Sequence, residues 1–111
     1  MRKERLESMV RGWFVGEFTP TAFSTEAAEV AVKEYAAGEY ECAHYHKEAT
    51  EVTVVLAGTV EMNGVRHVEG DILVIEPGER TDFLAVTPVT TLVVKVPCSR
   101  NDKYLFEEDR A

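Results

Sequence analysis

The chain has 111 residues, a length that fits one domain and buries enough apolar surface to fold without staples. Hydrophobic residues make up 45% of it and the formal net charge is -8, which sets aside disorder, nucleic-acid binding and docking on an anionic membrane surface. Two cysteines, Cys42 and Cys98, are too few for a disulfide scaffold, no apolar run reaches membrane-spanning length, and residues 1–10 lack the apolar core of a secretion signal, so a reduced, cytoplasmic protein is expected.

In chain order, Leu6, Met9, Val10 and Trp13 fall at one-face helical spacing, which predicts a short helix in the first dozen residues, ended by Gly12 and the pair Trp13-Phe14. Thr19-Pro20-Thr21 reads as a turn. From Glu29 onward short apolar runs alternate with Gly, Pro or Asn-Gly, the punctuation of an all-β chain. The runs are 30–35, 52–57, 59–62, 65–68, 72–75, 83–86 and 91–96, and many of their residues are β-branched, which suits a pleated surface. Asn63-Gly64 predicts a type I′ hairpin with Met62 opposite Val65, Glu61 opposite Arg66 and Val60 opposite His67. Glu61 and Arg66 then pair on the outer face, while Val60, Met62, Val65 and His67 share the other. Gly70-Asp71 and Pro77-Gly78 mark further turns. No long helical pattern is available to cross over between parallel strands, so a sandwich or barrel is expected.

Residues 38–58 read GEYECAHYHKEATEVTVVLAG. His44 and His46 are two apart, and on a strand that spacing puts both imidazoles on one face. Glu51 follows after a stretch long enough for a turn that returns the next strand. Two imidazoles and a carboxylate converging on a point make a metal site with open positions, suited to Zn, Fe, Ni, Cu or Mn. The alternative is a pair of hydrogen-bonded core histidines. Glu48 sits within the turn and reads as a solvated charge.

The spacing of Gly38, His44, His46, Glu51 and Gly58 resembles the first motif of the cupin family, and Gly70 with Pro77-Gly78 resembles the second. The likeness covers roughly residues 28–97. It implies a single-domain, jelly-roll-like β-barrel, with His44, His46 and Glu51 as three of four ligands to a divalent metal ion. The family's fourth ligand is a histidine at the position held here by Thr81. A threonine hydroxyl is a poor ligand beside imidazoles, so the expectation is three protein ligands plus water or substrate. Asp82 is a better ligand type but alternates to the opposite face.

Tyr40 and Cys42 share strand parity with the histidines and are expected to line the pocket, with Thr81 and Phe83. His67, on the inner face of the hairpin, is either a further pocket residue or a satisfied structural histidine. The division expected is an N-terminal arm over 1–27 packing on the barrel, a barrel core over 28–97 and a C-terminal extension over 98–111. The resemblance implies a homodimer. Two functional classes follow from it. One is a metal-dependent enzyme (an oxygenase, isomerase or lyase) on a small organic molecule, with a sugar-like one among the options. The other is a non-catalytic module that binds a small ligand. A second acid/base group beside the metal would favour the enzyme, and His67 is the sequence's candidate.

Overall fold

The structure is a computed structural model that describes residues 1–99 and 103–105. Most of the expected C-terminal extension, including its acidic 107–109 end, lies outside the described residues. Among the described residues, ten strands follow a single 3-10 turn at Leu6–Ser8: β1 Trp13–Val15, β2 Glu29–Tyr35, β3 Tyr40–Tyr45, β4 Thr50–Ala57, β5 Thr59–Met62, β6 Val65–Val68, β7 Ile72–Ile75, β8 Thr81–Ala85, β9 Val89–Val96 and β10 Tyr104–Leu105. They form two antiparallel five-stranded sheets, ordered β1-β2-β9-β4-β7 and β10-β3-β8-β5-β6. The sequential neighbours β3 and β4 therefore belong to different sheets, and so do β7 and β8. This is a jelly-roll arrangement, in which every β-turn-β connection of that kind carries the chain across the core.

The N-terminal helix does not form. Leu6 and Val10 are exposed, and positive φ at Arg11 (53°) and Gly12 (83°) swings the chain into β1. A segment this short cannot sustain a helix on spacing alone, and pairing of β1 with the edge of β2 offers it ladder hydrogen bonds instead. Gly12 is required at this corner, because a Cβ there would overlap the Val32 carbonyl oxygen.

The Asn63-Gly64 hairpin has the expected register, with φ of 51° and 77° at the two turn residues. Glu61 and Arg66 form an ion pair of 2.8 Å. Val60 and Met62 are buried, but Val65 on edge strand β6 is exposed. The apolar core is built from Val55, Val60, Met62, Ile75, Phe83, Ala85 and Val89.

Candidate metal centre and its cavity

Pairing across the first sheet sets residues in rows. One inner row runs Glu29, Lys95, Glu51, Ile75 across β2, β9, β4 and β7. The next inner row holds Ala31, Val93, Thr53 and Leu73, and the third brings Lys33 and Thr91 beside Val55. Glu51 thus enters the interior from the first sheet. From the second sheet, His44 on β3 pairs directly with Thr81 on β8. His46 lies just past β3, where its carbonyl accepts the Gly78 N–H at 2.6 Å, so the Pro77-Gly78 turn holds it in place. His44, His46, Glu51, Thr81 and Phe83 all face one cavity of about 420 Å³ between the sheets.

His46 Nε2 lies 3.4 Å from Glu51 Oε1, a contact that joins the two sheets. The His44 and His46 rings meet edge to face, with centroids 5.5 Å apart. His44 Nδ1 is 3.1 Å from the Cys42 carbonyl, which can only accept, so Nδ1 carries the proton and Nε2 keeps the lone pair. Burial pushes the His44 pKa down, against the Cys42 carbonyl and Glu51, and the charges of Lys103 and His46 add to the lowering. For Glu51 burial acts upward, but hydrogen bonds from His46 and from Thr53 Oγ1 (2.9 Å), with the charges of His46 and Lys95, outweigh it and leave the carboxyl below its usual range.

A neutral imidazole and an ionised carboxylate are the protonation states a divalent ion requires of its ligands. Two donors on one ion, each at about 2.0–2.2 Å, sit roughly 3–3.6 Å apart, which the His46–Glu51 pair matches. Among the described residues, however, no three His, Cys, Asp or Glu side chains converge closely enough to enclose an ion. The donor chemistry fits a metal, and two of the three donors stand at ligand spacing.

Three of the expected pocket residues lie elsewhere. Tyr40 and Cys42 are exposed, because the β3–β8 register shifts between Glu41 and His44. The bulge resets the alternation, so Glu41 and His44 both face inward although three residues apart. His67 is half-buried on β6 and does not line the cavity. In their place the interior holds Glu41, Tyr35, Lys33, Lys95 and Glu29, which the sequence pattern does not single out, together with Trp13. A signal for three of them was present, since Glu29, Lys33 and Tyr35 share one face of β2. Val30 and Val32 lie on the opposite, outer face. Tyr35 packs against Phe83 with ring centroids 4.4 Å apart and its hydroxyl lies 3.4 Å from Glu41 Oε2.

The fold is the double-stranded β-helix of small cupin domains. No protein-family model matches the sequence, and no curated protein matches it. Among solved structures, an uncharacterised protein with a double-stranded β-helix domain from Klebsiella pneumoniae superposes with TM-score 0.67 at 23% identity, covering 75% of this chain and 73% of that one. The DMSP lyase DddQ from Ruegeria pomeroyi gives TM-score 0.70 at 24% identity over 84% of this chain, which spans only 49% of the lyase. A sugar phosphate isomerase of the cupin superfamily from Silicibacter pomeroyi gives TM-score 0.57 at 26% identity, covering 63% of this chain and 50% of the isomerase.

Proposed function

We propose that the protein is a metal-dependent cupin enzyme acting on a small organic molecule in the cavity, with His44, His46 and Glu51 holding a divalent ion (Zn, Fe, Mn or Ni). The observation that carries this reading is the buried His46–Glu51 contact at 3.4 Å, with His44 on the same cavity wall. A bound ion would supply Lewis acidity toward a substrate oxygen or water. The residues of this chain supply the rest. Cys42 fixes the tautomer of His44 through its carbonyl. Thr53 orients Glu51. Thr81, short and beside His44, leaves room where a fourth side-chain ligand would stand.

The acid/base neighbour that favours an enzyme over a passive binding module is the Tyr35–Glu41 pair rather than His67. Burial, then the nearby Glu41 charge, pushes the Tyr35 pKa far up, so its phenol keeps its proton and acts as a hydrogen-bond donor. Lyase and isomerase chemistry are represented among the structural neighbours, and either is compatible with a donor placed beside a polarised oxygen. The test is metal content of protein purified without added metal, compared across wild type, His44→Ala, His46→Ala and Glu51→Ala. Each substitution should cut bound metal sharply in a folded protein. Equal metal in wild type and His46→Ala would remove the assignment.

The chain is further proposed to work as a cytoplasmic homodimer. Both cysteines are free thiols, as a reducing compartment keeps them. The outer face of the first sheet carries two aliphatic rows, Val30, Val94, Val52, Val74 and Val32, Leu92, Val54, Ile72, continuous across β2, β9, β4 and β7. Ile72 and Val74 are 63% and 55% exposed, and a second copy would cover them. Sedimentation should show twice the 12.4 kDa chain mass, and Ile72→Asp should yield monomer. A wild-type monomer at high micromolar concentration would refute the dimer.

A further inference from the structure

From the charges inside the cavity we infer that its ligand is a small organic carboxylate, anchored by Lys33 and Lys95 beside Trp13. The inference rests on the reading of this cavity as the ligand site and names the class of molecule it takes. The chain carries a net charge of -8, yet the described residues lining the cavity include four cations, Arg11, Lys33, Lys95 and Lys103, against three carboxylates, Glu29, Glu41 and Glu51. Cations are thus four of the seven charged lining residues, against 12 of 32 in the whole chain, with Arg11 and Lys103 exposed and Lys33 and Lys95 deeper. Low-dielectric walls focus such a field on whatever enters.

The two lysines are the buried members of the set. The Lys33 and Lys95 side chains are 23% and 14% exposed, on the inner faces of the neighbouring strands β2 and β9. Their ammonium groups lie 5.9 and 5.1 Å from the centroid of the same Trp13 ring. Each has a carboxylate nearby, but loosely: Lys33 to Glu41 at 3.5 Å and Lys95 to Glu29 at 3.8 Å. A committed ammonium–carboxylate hydrogen bond is about 2.7–2.9 Å long. An ammonium has three donors, so both groups retain protons to offer a ligand. The carboxylates hold the lysines in place and moderate their charge, which suits an anion of one negative charge over a dianion. The indole beside the two ammonium groups gives the apolar part of an organic acid a surface to pack on.

Trp13 is the sole tryptophan, so intrinsic fluorescence reports directly on this wall of the cavity. The experiment titrates metal-free full-length protein with propionate and benzoate, with their amides, propionamide and benzamide, and with inorganic phosphate. Using metal-free protein isolates the lysines from any attraction by an ion. The acids should bind at least tenfold more tightly than their amides and more tightly than phosphate. Lys33→Met and Lys95→Met should each reduce the acid-over-amide ratio at least fivefold. Should either single variant fail to fold, the charge-balanced pairs Lys33→Met with Glu41→Gln and Lys95→Met with Glu29→Gln should lose the preference equally. Metal content is measured separately on the same lysine variants and should stay at the wild-type level, so failure of the metal assignment and failure of this inference give different results. Equal binding of acids and amides, tighter binding of phosphate, no response to any probe, or a preference that survives loss of both lysines would overturn it.

Discussion

Thr81→His places an imidazole directly across from His44, because residues 44 and 81 are paired in the β3–β8 ladder. Opposed residues in an antiparallel pair hold their Cβ atoms about 4.5–5.5 Å apart, close enough for two side chains to share one ion. Thr81 is buried, at 8% exposure, but it borders a cavity of about 420 Å³, so the larger ring has space to enter. The overpacking cost should therefore sit at the low end of its usual range, about 1 kcal/mol. A fourth ligand that tightens metal binding tenfold is worth about 1.4 kcal/mol. With metal at about 100 times the wild-type Kd, binding stabilises the wild type by about 2.7 kcal/mol and the variant by about 4.1 kcal/mol. The order of stability should then reverse: the variant melts below the wild type in chelator and at or slightly above it in excess metal. The assay is thermal unfolding in both conditions, joined to metal titration against a competing chelator. A folded variant with unchanged metal affinity would refute the reasoning, since residue 81 could then not face the metal.

Gly12→Ala should cost more than about 2 kcal/mol, from positive φ together with the overlap on the Val32 carbonyl, and the displaced β1 should expose Trp13 and red-shift its emission; an unchanged spectrum would contradict the tight corner. In an alkaline titration one of the four tyrosines should stay protonated in the native state well above the ordinary 10.0, and Tyr35→Phe should remove that silent phenol. Because the folded Tyr35 pKa is raised, its contribution to stability is complete below about pH 10 and declines above it, as the unfolded chain ionises first; an alkaline stability profile that is the same in Tyr35→Phe would count against this. Val60→Ala, at a fully buried position, should cost roughly 2 kcal/mol, whereas Val65→Ala, opposite the core on edge strand β6, should stay within about 0.5 kcal/mol; equal losses in urea unfolding would mean that β6 is covered.

Local chemistry alone determined much of this protein. Asn63-Gly64 dictates its hairpin and register because only a tight turn with two positive φ angles joins strands two residues apart. The strands 59–62, 65–68 and 72–75 end where the sequence places their turn residues. The spacing of His44, His46 and Glu51 is likewise a local fact, and it put all three on one cavity. What local chemistry does not encode is which face of a strand becomes interior. On β2 the aliphatic face of Val30 and Val32 points out and the face of Glu29, Lys33 and Tyr35 points in, because the opposing sheet and β1 enclose a polar cavity there. On β3 a register shift against β8 turns Glu41 inward and leaves Tyr40 and Cys42 outside, an outcome strict alternation reverses. A bulge is set by pairing between strands some forty residues apart, and Trp13 reaches the cavity only because β1 docks on the sheet edge instead of coiling into a helix. The spacing of the candidate ligands is written in the sequence, while tertiary pairing brings Trp13 of β1, Lys33 and Tyr35 of β2 and Lys95 of β9 together in one sheet and sets Glu41 of β3 against them from the other.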